Sequence, residues 1–362
     1  MTTAPLAGEV GHATTVPHAR SKAGTSVAPG LRVRDLRVSF ALEDGTYPVV
    51  SGVDLTLQPG ERMALVGESG SGKTVTILSL LRLLPGMARL EARELHVAGH
   101  DVLTLDDRRL DGIRGKDVAM IFQDPMSSLN PVLRVERQIT APMRRHLGLS
   151  AKDAREQAAA LLGRVGIPDP ARCLRAYPHE LSGGMRQRVM IAIALACRPR
   201  VLLADEPTTA LDVTIQAQII RLLTELCDDL GLVCLLVTHD LGVVARFAHR
   251  VAVMYAGRVV EEGPVGDVFA TPRHPYTRAL LASVPTTDRR ASLKQIDGAP
   301  PGLRARPSGC PFHPRCPDAV DICRVATPAL ADHGFQHLAA CHVTAPNDGV
   351  SPPSPSAEGR AS

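Results

Sequence analysis

The chain has 362 residues, 44% of them apolar, and 41 Lys+Arg against 37 Asp+Glu leave a formal net charge of +4. That length supports a large core and two or three domains. Balanced charge, 3% aromatic residues and no Trp argue against the basic stripe and base-stacking surface of a nucleic-acid binder.

No run approaches roughly 18 consecutive apolar residues, and the N-terminus lacks the apolar core of a secretory signal. The chain is therefore expected to stay in the cytoplasm without spanning a membrane. In that compartment the eight cysteines do not suggest a disulfide framework. Cys173, Cys197, Cys227 and Cys234 sit in apolar or helical sequence and read as buried thiols.

Residues 1–29, rich in Ala, Thr, Gly and Pro without an apolar period, read as a disordered tail. Leu31–Phe40 and Val53–Leu57 alternate apolar and polar residues as half-buried strands do. Met63–Val66 is a further apolar run, and Val75–Leu81 has helical character. Between them Gly67-Glu68-Ser69-Gly70-Ser71-Gly72-Lys73-Thr74 fits G-x-x-x-x-G-K-[ST] at every fixed position. Its strand–loop–helix setting is what a phosphate loop requires. The glycines let successive backbone N–H groups turn inward around phosphate oxygens. Lys73 would reach the β- and γ-phosphates of ATP, and the Thr74 hydroxyl would ligate Mg²⁺.

Leu95–Gly99 and Val118–Phe122 read as strands, and a mostly helical stretch runs from about 132 to 180, including Ala151–Val165. Ser182-Gly183-Gly184 then opens a helix. It could be a second anion site made of backbone N–H groups, or simply a glycine-rich cap. Val201-Leu202-Leu203-Ala204 and Val233–Val237 are continuous apolar runs, the pattern of parallel strands buried on both faces. The first ends in Asp205-Glu206. At the C-terminal end of a parallel strand these carboxylates would lie beside the phosphates, Asp205 for Mg²⁺ and Glu206 to polarise the attacking water. Alone, the pair could equally be an acidic turn, and His239 a satisfied strand-end histidine. Val251–Tyr255 and Arg258–Glu262 are strand candidates, and residues 346–362 read as a second disordered tail.

In this order the motifs resemble the nucleotide-binding subunits of ABC transporters over roughly residues 31–345. The resemblance implies an α/β fold: a P-loop ATPase with a RecA-like core, an antiparallel β subdomain, a helical subdomain and a small cysteine-containing C-terminal extension. The ATPase domain would span 30–265, with the helical subdomain at about 125–182, and the extension 266–345. Carried over by residue, Gln123 matches the Q-loop glutamine that contacts Mg²⁺ and the attacking water. Asp212 matches the D-loop aspartate, and His239 the switch histidine at the γ-phosphate. The family places an adenine-stacking aromatic near the end of the first strand, which favours Phe40 over Tyr47. It also pairs the Ser182–Gly184 loop of one subunit with the phosphate loop of another, so a second ATPase subunit is expected, related to this chain rather than an identical copy, as in a heterodimer.

Phe122-Gln123-Asp124-Pro125-Met126-Ser127-Ser128-Leu129-Asn130-Pro131, Tyr177-Pro178-His179-Glu180-Leu181-Ser182 and His274-Pro275-Tyr276-Thr277 resemble the oligopeptide/dipeptide importer ATPases and the related nickel importers. Two permeases, a coupling-helix contact at roughly 124–145, and an extracytoplasmic substrate-binding protein follow from that resemblance. So does a peripheral location on the cytoplasmic face of the plasma membrane. A nickel or other small-solute importer is the near alternative. A soluble ABC ATPase acting on DNA or ribosomes should carry a coiled-coil insertion, tandem cassettes or a basic stripe, none of which is visible.

Cys310, Cys316, Cys323 and Cys341 follow C-x5-C-x6-C-x17-C. Four thiols suit a [4Fe–4S] cluster or tetrahedral Zn²⁺, or they could be unliganded structural thiols, and the spacing does not choose between them. His313, His333, His337 and His342 keep zinc open. Resemblance favours the cluster, because some importer ATPases of this subfamily carry one on such a segment. No catalytic motif adjoins these cysteines in sequence, so the segment is expected to be structural or redox-sensing and distant from the phosphate loop.

Overall fold

The computed structural model describes residues 29–209, 211–284, 296–334 and 336–344. The tails expected at 1–29 and 346–362 lie outside the described residues, apart from residue 29. Among the described residues no helix is long and apolar enough to cross a membrane.

Two sheets of different character hold the site. The first is antiparallel: Leu31–Leu42 pairs with Gly45–Leu57 on one side, and with Ala88–Glu91 and Glu94–Val97 on the other. The second has a parallel centre, in the order Arg250–Tyr255, Arg62–Val66, Val233–Thr238, Val201–Asp205, Val118–Ile121. Every residue of the three central strands is buried, which explains their uninterrupted apolar sequence. Their aligned register, with Val66 beside Thr238 and Asp205 beside Val237, brings their C-terminal ends to one edge. Ligands bind open parallel sheets outside such an edge.

Between the two sheets lies a core containing Leu36, Val53, Leu65, Ile77 and Leu235. A second core joins the parallel sheet to the helices Val135–Leu147, Ala151–Arg164, Pro170–Arg175 and Gly183–Leu195. These fill the stretch in which a helical subdomain is expected. Three have side-chain caps: Ser150 accepts from Asp153 N–H, Asp169 from Arg172 N–H and Ser182 from Met185 N–H.

The extension is welded to the parallel sheet. Leu338–Ala339 adds to the edge of Arg258–Pro264, pairing Ala339 with Glu261 and Leu338 with Glu262. Inside this joint Tyr255, Tyr276 and Phe312 pack together, with ring centroids 4.6–5.4 Å apart. Each such pair contributes roughly 0.5–1.5 kcal/mol beyond its area burial. Cys310 and Cys323 belong to this same core, with Cys316 packed against it.

Candidate active site

The chain leaves Arg62–Val66 directly into the phosphate loop, then enters the helix Lys73–Ser79. Two glycines are required by geometry. A Cβ on Gly67 would run into the carbonyl oxygen of Met254, and Gly72 sits at φ 102° as the cap of the helix. The loop borders a cavity of about 520 Å³ lined by Val49, Ser69, Gly70, Gly72, Lys73, Thr74, Val75, Gln123, Glu206 and His239. Residues from five separate stretches of sequence therefore meet at one strand edge.

Lys73 Nζ donates to the carbonyls of Gly67 at 2.7 Å and Glu68 at 3.0 Å. Burial lowers its pKa, while the carboxylates of Glu206, Asp205 and Glu68 oppose that shift. The Thr74 hydroxyl lies 3.3 Å from Oδ1 of Asp205. Burial raises the pKa of Asp205, against the hydrogen bond from Thr74.

Glu206 is the hub. Gln123 Nε2 donates to its Oε2 at 3.1 Å, and the Thr209 hydroxyl donates to the same oxygen at 2.9 Å. Nδ1 of His239 lies 3.1 Å from Oε1. Burial pushes the Glu206 carboxyl up, but the hydrogen bonds from His239 and Thr209 outweigh it and hold the pKa below the usual value. Its backbone is in the left-handed region at φ 43°, an unusual conformation for a side chain with a Cβ. Such local strain recurs at functional sites.

Other expected residues lie elsewhere. Ser182 and Gly183 are exposed and Gly184 half-buried at the start of their helix, and none is among the described residues lining the cavity. Asp212 caps the helix Val213–Leu230, accepting from Ile215 N–H at 2.9 Å. Ser71 is buried beneath the loop, with its carbonyl accepting from Gly257 N–H at 2.8 Å. Phe40 and Tyr47 face one another across the first two strands, and neither lines the cavity, although Val49 does. Tyr47 carries the guanidinium of Arg304 over its ring at 5.7 Å.

Sequence reasoning missed Thr209, Tyr276 and Arg315. The last two overturn the expectation that the extension is remote: Tyr276 and Arg315 both bond Glu68, inside the phosphate loop. Among the described residues the expected four-cysteine metal site is not formed, although Cys310 and Cys323 share one core with Cys316 packed against it. Burial raises the thiol pKa of Cys310, with Cys323 and Cys341 close enough to add to it. Burial likewise pushes Cys316 up to about 11, with Cys341 and Cys310 contributing. Cys310 N–H donates to the Cys323 carbonyl at 2.8 Å. Among the described residues, however, no three His, Cys, Asp or Glu side chains are drawn together as a finished metal site.

Comparison with known proteins agrees with this geometry. Residues 50–209 match the ABC transporter family, and 260–323 match the oligopeptide/dipeptide transporter C-terminal region. The probable peptide ABC transporter ATP-binding protein y4tR of Sinorhizobium fredii is 51% identical over 314 residues, 86% of this chain and 94% of that protein. The dipeptide transport ATP-binding protein DppD of Bacillus subtilis is 49% identical over 86% of this chain and 93% of its own length. The oligopeptide transport ATP-binding protein OppD of Salmonella typhimurium is 48% identical over 83% and 90%. In structure, the dimeric ATP-binding cassette MJ0796 bound to ADP and Pi superposes with a TM-score of 0.58 at 29% identity, over 65% of this chain and 98% of that one. The chain belongs to the ABC transporter ATP-binding subunits and, within them, to the oligopeptide/dipeptide branch.

Proposed function

We propose that this subunit hydrolyses ATP to energise import of peptides through a membrane ABC transporter. The observation that carries the catalytic part is the convergence of Gln123, Thr209 and His239 on the carboxylate of Glu206 beside the phosphate loop. The cargo follows from the relatives named for peptide, dipeptide and oligopeptide transport.

In this reading Lys73 and the backbone N–H groups of Gly70–Thr74 receive the phosphates. Glu206, held ionised by its neighbours, takes the proton of the attacking water. Gln123 orients that water, and His239 carries the γ-phosphate contact. The adjacent Thr74 hydroxyl and Asp205 carboxylate are hard oxygen ligands suited to Mg²⁺, with Gln123 completing the set. When bound, the ion neutralises charge on the transferred phosphoryl group. Phe40 or Tyr47 supplies the adenine-stacking ring.

Ser182, Gly183, Gly184 and Asp212 serve the site of a second ATPase subunit, which is supported by their position outside this chain's own cavity. Two permeases and an extracytoplasmic substrate-binding protein complete the assembly, with this chain peripheral on the cytoplasmic face of the plasma membrane. The ATPase domain is assigned to 30–265 and the extension to 266–345. Cys310 and Cys323 on the buried joint, Cys316 packed against it, and Cys341 further along the chain offer the all-thiolate donor set of a [4Fe–4S] cluster, with Zn²⁺ as the second reading. Reconstituting the purified transporter in vesicles tests the whole assignment. Peptide uptake driven by ATP is the expected outcome, and ATP-driven uptake of nickel without peptide would reassign the cargo.

A further inference from the structure

Arg315 stands between Cys310 and Cys316, and its side chain is only 6% exposed. Its Nη1 donates to Oε2 of Glu68 at 2.7 Å and its Nη2 to Oε1 at 3.0 Å, the two-pronged arrangement of a guanidinium on a carboxylate. Its other contacts fix the fork in place. Nε donates to the carbonyl of Asp297 at 2.9 Å, Nη2 to that of Gly298 at 3.2 Å, and Nη1 to the Tyr255 hydroxyl at 3.3 Å.

Glu68 is gripped a second time, because its N–H donates to the Tyr276 hydroxyl at 2.8 Å. On the inner side, the Glu68 carbonyl accepts from Lys73 Nζ at 3.0 Å. One residue of the phosphate loop is thus held from outside by the extension and in turn touches the phosphate-binding lysine. Arg306 makes an independent contact, donating at 2.9 Å to the carbonyl of the cavity-lining Val49.

We propose that Arg315 is a positioning residue for ATP binding: by fixing Glu68, it holds the phosphate loop and Lys73 in the shape that receives the phosphates. A glycine-rich loop has much conformational freedom to lose when it wraps a ligand. A rigid guanidinium fork that restricts the loop beforehand lowers that cost, so its effect falls on affinity. Glu206, Gln123 and His239 lie on other elements, and Arg315 takes no part in their mutual contacts.

The test measures ATP affinity by calorimetry and KM and kcat in the assembled transporter. Arg315→Gln is expected to raise Kd and KM about tenfold while kcat falls no more than about twofold, the loss of a charged hydrogen bond read as affinity. Arg315→Lys should recover part of the affinity, since it keeps the charge and loses the fork. Adding Glu68→Gln to Arg315→Gln should cost nothing further. An unchanged Kd in Arg315→Gln, or losses that multiply in the double variant, would overturn the proposal. If Arg315→Gln does not fold, Glu68→Gln removes the carboxylate end of the same fork while leaving Arg315 and the backbone contacts of Glu68 in place. Its expected weakening of ATP binding supports the proposal, and unaltered binding overturns it.

Discussion

His239 Nδ1 lies 3.1 Å from Oε1 of Glu206, which joins the end of one buried strand to the carboxylate that follows its neighbour. The contact depends on parallel register: Asp205 pairs with Val237, and Glu206 N–H continues the ladder by donating to the Val237 carbonyl at 2.9 Å. A histidine and a glutamate far apart in sequence become neighbours because both follow central strands of one sheet.

The first prediction addresses that carboxylate. Glu206→Gln keeps the size of the side chain and removes its basicity, so ATP binding should persist while turnover falls roughly 10²-fold or more. Trapped ATP-bound assemblies should accumulate. Near-normal steady-state hydrolysis in the reconstituted transporter would remove Glu206 from the role of base.

Asp205 gives a prediction about pH. Burial raises its folded-state pKa above 3.8, so the fold favours the protonated form. Its contribution to stability is present below the unfolded value and is lost as pH rises through the folded one. Asp205→Asn cannot ionise and should therefore be the more stable protein at neutral pH, with chelator present and nucleotide absent. The advantage should vanish in acid, and hydrolysis should be lost throughout. Urea unfolding at both pH values measures this, and a variant less stable than the parent at neutral pH contradicts it.

Much of this site was legible because each motif carries its own local backbone signature. The glycines around Lys73, the apolar strand ending in Asp205-Glu206 and the Ser182 cap all declare themselves within a few residues. The partners of Glu68 do not. Tyr276 and Arg315 lie 208 and 247 residues away, and neither has a spacing that points to the loop. The docking strand Leu338–Ala339 has only two residues, too few to show alternation. The adenine-stacking ring resisted for another reason: Phe40, near the end of the first strand, and Tyr47 are cross-strand partners, and neither lines the cavity.

The signature loop predicts a division of labour between subunits. Ser182 is exposed and outside this chain's cavity, so Ser182→Arg should leave ATP binding at Lys73 largely intact. It should damage hydrolysis at the partner's phosphate loop by obstructing closure. Nucleotide trapping resolved by subunit distinguishes the two sites. Damage confined to this chain's own phosphate loop would contradict the shared arrangement.

The final prediction concerns the cysteines, and the contact between Arg315 and Glu68 gives it two readouts. Protein purified without oxygen should be brown, absorb near ~400 nm and carry about four irons per chain, as a thiolate-ligated cubane does. Stoichiometric zinc without iron would keep a metal site and reject the cluster, and neither metal would return the four residues to buried thiols. Cys316→Ser should bleach the colour, as loss of one thiolate demands. Because Cys316 follows Arg315 directly in the chain, and the carboxylate partner of Arg315 lies in the phosphate loop, the same variant should also weaken ATP binding. Calorimetry on the variant separates the two effects. Bleaching with unchanged ATP affinity would make the metal site independent of the phosphate loop, whereas a joint loss would show that the ordering of the extension is felt at Lys73.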